Sequence, residues 1–324
     1  MPNPFFSIII TSFNQRDFIA DAVRSALSQR CQDRETIVID DGSTDGSCEL
    51  LQEFGHRIRL IKLDRNIGVI GARNAGVEAA TGDFLVFLDG DDALMPWALD
   101  VYRQIIREHD PKVIVGKLRW VEKVIPDLHQ DPWPVQIRLL KYKDFLSKDR
   151  SCELSASDLV VERITFRECG SWTPGTVPLE PIDVLAKLGV AGPAIQICSP
   201  ETVAYRAHSA NSIWNVRPFV SLAHQLLEKE RRGEYPGGKD YLLKRRAWFG
   251  GQVFFWAKRG VQNGLYGPAL RLIMDGYPMM LAAVQRRAML RLTGRNCVRT
   301  EPFQQFDAPS HPAGALPSDA RLEA

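Results

Sequence analysis

Short apolar runs and polar clusters alternate along the first third of the chain. Ser7-Ile8-Ile9-Ile10 is continuous and apolar, as expected of a strand buried on both faces of a parallel sheet. After Asp17, a residue type that caps helices, Ile19, Ala22, Val23, Ala26 and Leu27 recur at the spacing of a helix stripe packed on that sheet. Thr36 to Ile39 reads as a second strand, stopped by Asp40-Asp41-Gly42-Ser43, with a short helix over 47–54. A third strand is predicted over 58–63 and a helix over 70–80. The strand Phe84 to Leu88 then runs into Asp89-Gly90-Asp91-Asp92. Pro96 sits where a proline opens a helix, here one reaching His109, and Val113 to Val115 is a further strand.

Strands alternating with helices predict a doubly wound, mostly parallel α/β sheet, in which ligands lie at the carboxyl ends of the strands. Those ends are where the polar clusters fall. Residues 117–210 are interrupted by prolines and read as the acceptor-facing half of a domain spanning 1–215. Residues 216–300 turn helical, basic and aromatic, an appendage to that domain. The Pro-, Ala- and Ser-rich stretch 301–324 is expected to be disordered.

Composition narrows the class only a little. The 324 residues suffice for one large domain or a domain with an appendage, and a net charge of +2 gives no global field toward nucleic acid. The basic C-terminal third carries no recognisable nucleic-acid module, so a nucleic-acid partner is not expected. Six dispersed cysteines show no zinc-ligand spacing. The N-terminus lacks the pattern of a signal peptide and no run of about 18 uncharged apolar residues occurs, so a cytoplasmic chain is expected.

The chemistry concentrates in the polar clusters. Asp89, Asp91 and Asp92 repel one another unless a cation joins them, and an all-oxygen set suits Mn²⁺ or Mg²⁺ bridging to a diphosphate. An acidic turn capping the next helix is the alternative for that motif taken alone. Thr11-Ser12-Phe13-Asn14, the Asp40–Ser47 cluster, and Asn66 with Arg73 in Gly71-Ala72-Arg73-Asn74-Ala75-Gly76 lie beyond neighbouring strands and should meet in one crevice. Such a crevice fits a nucleotide: a carboxylate accepts from a base N–H, Phe13 can stack, and Arg73 can neutralise phosphate.

Four strings taken together, Ser-Ile-Ile-Ile-Thr-Ser-Phe-Asn, Ile-Asp-Asp-Gly-Ser-Thr-Asp, Ala-Arg-Asn-Ala-Gly and Thr-Gly-Asp-Phe-Leu-Val-Phe-Leu-Asp-Gly-Asp-Asp, resemble the inverting family-2 glycosyltransferases with the GT-A fold, over roughly residues 5–210. The resemblance implies a mixed, mostly parallel sheet and a single displacement from a nucleotide-sugar donor, UDP-sugar favoured, to a carbohydrate or glycolipid acceptor in surface-polymer synthesis. It implies that Thr11 and Phe13 border the base, Asp41 binds its N–H edge with Asp40 ranked below it, and Asn66 and Arg73 serve the donor. It further implies that Asp89 and Asp91, with Asp92, hold the metal. In Tyr205-Arg206-Ala207-His208-Ser209-Ala210-Asn211-Ser212, Arg206 would contact phosphate and His208 phosphate or metal.

The resemblance breaks at one point. Pro181 stands where the family has its catalytic Asp, leaving Glu180 or Asp183 as the base, with helix capping as the alternative for both. A nucleotide-sugar-binding protein that has lost catalysis is therefore a rival reading. A sugar nucleotidyltransferase is another, weakened by the absence of glycine in the loop after the first strand. Trp172 fits either an acceptor-sugar floor or core packing. Residues 265–292 mix apolar residues with arginines, open to two readings: packing on the catalytic domain, or peripheral contact with the inner face of a membrane.

Overall fold

The computed structural model describes residues 5–122, 133–140, 155–177, 179–208, 215–292 and 304–306. Its strands are β1 (Phe6–Ser12), β2 (Arg34–Asp40), β3 (Arg59–Lys62), β4 (Phe84–Asp89), β5 (Ala93–Leu94), β6 (Val113–Val115), β7 (Leu118–Val121), β8 (Val135–Leu140), β9 (Leu159–Glu162), β10 (Ala194–Ser199), β11 (Val203–Arg206) and β12 (Gln304–Phe306). Its helices are α1 (Ile19–Leu27), α2 (Ser47–Gln52), α3 (Gly68–Ala79), α4 (Ala98–His109), α5 (Arg163–Glu168), α6 (Glu180–Leu188), α7 (Val216–Arg231), α8 (Leu242–Gln262) and α9 (Tyr266–Leu292).

The strands form a mixed nine-stranded sheet of order β12-β8-β10-β6-β9-β4-β1-β2-β3 and a small sheet β5-β11-β7. Strands β3, β2, β1 and β4 run parallel in register, with Ser12 opposite Asp40 and Thr11 opposite Asp89. That register brings three polar clusters to one edge. Strand β9 runs against both its neighbours, β4 and β6.

Strand geometry sends alternate side chains to opposite faces, and the core divides accordingly. Ile8, Ile10, Val38, Val86 and Leu88 pack with α1 and α4 on one face. Ile9, Ile37, Ile39, Leu85 and Phe87 face the other way and join Trp172, Leu185, Phe219, Trp248 and Trp256. The helices after residue 216 thus share a core with the sheet. Phe219 and Trp256 stack at 4.1 Å between α7 and α8. A Cβ on Gly250 would lie 2.0 Å from the Met279 carbonyl oxygen, so glycine is what lets α8 and α9 approach there.

Two expectations shift and one alternative narrows. Asp17 does not cap α1, whose N-cap position is Phe18 with no side-chain cap. The stretch 301–324 is not wholly without order, since β12 pairs antiparallel with β8 at the sheet edge, while 301–303 and 307–324 lie outside the described residues. Trp172 is core, 1% exposed and edge-on to Phe87 at 5.0 Å, so truncating it to Ala costs about 3–5 kcal/mol by lost packing.

Candidate donor and acceptor site

The loops after β1 and β2 are stitched together. Asn14 donates its backbone N–H to Ser43 Oγ at 3.0 Å, and its side-chain oxygen accepts from the Thr44 N–H at 2.9 Å. Asp41 N–H reaches the Ser12 carbonyl at 2.8 Å, while Asp41 Oδ1 accepts from the Ile67 N–H at 2.7 Å and so fixes the loop into α3. Gly42, at φ +73, lies so close to the backbone of Arg65 and Asn66 that a Cβ would come within 2.9 Å. Phe13 stands 44% exposed beside this floor, where an aromatic face can be offered to a planar base.

The acidic turn follows directly. Gly90 donates its N–H to the Thr11 carbonyl at 3.0 Å, and a Cβ there would lie 2.2 Å from Gln15 Oε1 and 2.8 Å from the Thr11 oxygen. The turn is therefore pressed against the end of β1. Asp91 Oδ2 sits 2.9 Å from His208 Nε2, and the His208 ring stacks on Phe18 at 4.8 Å. Burial raises the Asp91 pKa and the charge of Asp89 adds to that, opposed by His208. Asp92 is sequestered: Ser157 Oγ donates to its Oδ2 at 2.7 Å and the Arg206 N–H to its Oδ1 at 3.0 Å. Burial and then its acidic neighbours push its pKa well above the usual carboxylate range.

Arg73 ties the turn to α6. Its guanidinium donates to Asp89 Oδ1 at 2.6 Å and Glu180 Oε1 at 2.8 Å, with the Trp172 ring 5.1 Å away. Burial disfavours its charge, but the two carboxylates more than offset this and raise its pKa. Glu180 Oε2 is buried with no hydrogen-bond partner among the described residues. A buried acceptor left unmatched costs about 1–3 kcal/mol, so this oxygen is held at a cost. Asp183, one turn along α6, is the opposite case. Tyr235 Oη donates to its Oδ1 at 2.8 Å, Lys229 pairs with that same oxygen, and Thr173 Oγ1 donates to its Oδ2 at 2.6 Å. Burial would raise its pKa, yet Lys229, Thr173 and Lys187 bring it below the usual value.

Residues 7–157 match the family description "Glycosyl transferase family 2". These residues form a family 2 glycosyltransferase domain. The chain is 40% identical over 108 residues to the succinoglycan biosynthesis protein ExoO of Rhizobium meliloti, covering 33% of this chain and 30% of that one. It is 34% identical over 97 residues to the cholesterol galactosyltransferase of Borreliella burgdorferi, covering 29% and 27%. The chain thus spans less than a third of the length of these two relatives. In fold, S. aureus TarS 1-349, solved in complex with UDP-GlcNAc, superposes with TM-score 0.66 at 13% identity over 94% of this chain and 99% of that one. The mannosyltransferase PcManGT from Pyrobaculum calidifontis, in complex with GDP-Man and Mn²⁺, gives TM-score 0.51 at 16% identity over 88% and 87%. The architecture is that of the GT-A glycosyltransferases, with C-terminal helices.

The fold brings Thr11, Phe13, Asp41, Asn66, Arg73, Asp89, Asp91 and Glu180 to one edge of the sheet, and several of these side chains already have partners within the chain. Arg73 is 4% exposed and spent on two carboxylates instead of facing solvent where a diphosphate would lie. Asp40 caps its own turn, accepting from the Ser43 N–H at 3.2 Å. Asn66 likewise accepts from the Gly68 N–H at 3.0 Å. Arg206 is held by Asp21 at 3.0 Å and the Asp91 carbonyl at 3.0 Å, over Phe18. Of the expected metal set, Asp89 is bound to Arg73, Asp91 to His208 and Asp92 to Ser157, and among the described residues no group of three His, Cys, Asp or Glu side chains is placed to hold an ion. Asp92 is turned inward, and 209–212 of the expected closing segment lie outside the described residues. Phe18, Asp21 and Ser157, which position His208, Arg206 and Asp92, carry no motif signal and went unnoticed in the sequence.

Proposed function

We propose that the chain transfers a sugar from a nucleoside diphosphate donor, UDP-sugar favoured, to a hydroxyl of a carbohydrate or glycolipid acceptor with inversion, in the synthesis of a surface polymer. One observation carries the reading: the guanidinium of Arg73 holds the acidic turn at Asp89 and the α6 carboxylate Glu180 within 2.6 and 2.8 Å of itself. Donor-side and acceptor-side chemistry are thereby adjacent.

Thr11, Phe13 and Asp41 would frame the base. A hard divalent ion, Mn²⁺ or Mg²⁺, fits the two partly exposed carboxylates Asp89 and Asp91, because such ions need only one or two protein oxygens beside water and phosphate. When bound it neutralises charge on the departing diphosphate. His208 would steady Asp91 from behind. Glu180 Oε2 takes the proton of the acceptor hydroxyl as that oxygen bonds to the anomeric carbon and the bond to the diphosphate oxygen breaks. Asp183 is spent on other partners and is not proposed as base.

The test is a thermal-shift panel of nucleoside diphosphates and nucleotide sugars with and without Mn²⁺, since a ligand of the folded state stabilises it by RT ln(1 + [L]/Kd). Stabilisation by uridine nucleotides that needs Mn²⁺ and disappears in Asp91→Ala is expected; indifference to every nucleotide refutes the reading. Donor binding with neither transfer nor slow donor hydrolysis would make the chain a binding module, the outcome Pro181 favours.

A further inference from the structure

Helix α9 is apolar on two sides. Ala269, Leu272 and Met279 are buried in the core, and a Cβ on Gly276 would press into Val253 of α8 at 2.7 Å. On the outer side Tyr266, Leu270, Met274, Tyr277, Leu281 and Val284 are 43–69% exposed. Their spacing of three and four residues lines them along one ridge of about 27 Å at 1.5 Å per residue. A soluble protein seldom shows solvent so continuous an apolar surface without a use for it.

The exposed charges of α9 and of its neighbour α8 choose the occupant. Among the described residues Arg271 and Arg287 are exposed on α9, and Lys244 and Lys258 are exposed on α8. The acid of this helix, Asp275, pairs with His224 of α7 at 2.8 Å while 44% of its side chain stays exposed, so the exposed cations outnumber it. An anionic lipid surface meets both demands, accepting the apolar ridge at the headgroup boundary and attracting the flanking cations. Among the described residues no helix is long and apolar enough to cross a membrane, so the contact lies in the plane of the interface.

We infer that the outer ridge of α9 docks the protein on an anionic membrane surface. The inference is independent of the sugar-transfer reading and stands or falls without it. Full-length protein is expected to co-sediment with vesicles containing phosphatidylglycerol, and much less with pure phosphatidylcholine or at high salt. The double variant Leu270→Glu/Tyr277→Glu, whose side chains face solvent, should keep its Tm yet bind about tenfold more weakly or worse, as expected when apolar contact is replaced by like charge. Absence of binding, equal binding to both lipids, or binding untouched by the double variant would overturn the inference. So would a dimer in lipid-free light scattering that the double variant dissolves, which assigns the ridge to a second copy. Met274→Cys should label quickly with a maleimide above wild-type background and be protected by the anionic vesicles; slow labelling without lipid would mean that the chain's own residues cover the ridge.

Discussion

Two acid–base clusters sit a helical turn apart on α6 and behave in opposite ways. Around Asp183, Lys229, Tyr235 and Thr173 satisfy both carboxylate oxygens of a side chain with no exposed surface. Around Arg73, the carboxylates of Asp89 and Asp91 stay 25% and 16% exposed and Glu180 keeps one oxygen unmatched. A saturated cluster gains only stability, because every lone pair is committed; an incompletely matched one retains capacity for a ligand at the expense of folding free energy. Acid–base composition alone therefore does not locate the chemistry. Unspent valence is what singles out the cluster proposed for it.

The largest effect should come from the incomplete cluster. Asp91→Asn is expected to lower metal-dependent turnover on the order of 10³-fold, worth about 4 kcal/mol, with little change in Tm. A fall in Tm matching the loss of activity would make Asp91 structural and erase the contrast. Asp183→Asn should do the reverse, costing about 3 kcal/mol in chemical denaturation by stranding Lys229 and Lys187, while donor binding of the folded fraction persists. Glu180→Gln should reduce turnover by about 10²-fold with donor-induced thermal shifts unchanged, and pre-steady-state measurement of donor affinity against transfer rate separates the two.

The acid limb of the stability curve offers a finer discriminant. Because the folded-state pKa of Asp183 is depressed, its contribution is fully present above the unfolded value of about 3.9 and is lost as pH falls through the folded value below it. Wild type should thus lose stability below about pH 4 more steeply than Asp183→Asn; parallel curves would contradict the assignment. Smallest of all, Phe13→Ala should weaken donor binding by about 1 kcal/mol, the worth of one aromatic contact, as read by calorimetry.

Much of this was legible beforehand, for stated reasons. Continuous apolar runs marked β1, β2 and β4 because both faces of those strands are buried, and polar residues at their ends could only gather at one edge. The choice between Glu180 and Asp183 was not legible, since the partners that consume Asp183 arrive from Lys229 and Tyr235, 46 and 52 residues away. Arg73 looked ready for phosphate because its burial under Trp172 depends on packing between residues 99 positions apart, which no local pattern records. Likewise α9 carries apolar residues on two sides, so its sequence does not distinguish the inner from the outer one.

Gly90 has a consequence for how the acidic motif is to be understood. With its N–H on the Thr11 carbonyl and no room for a Cβ, it is a rivet between the strand that would floor the base and the turn that would carry the ion. The residue between Asp89 and Asp91 is thus no neutral spacer. Any larger side chain there would prise two recognition surfaces apart at once, so nucleobase selectivity and cation dependence should fail together rather than one by one.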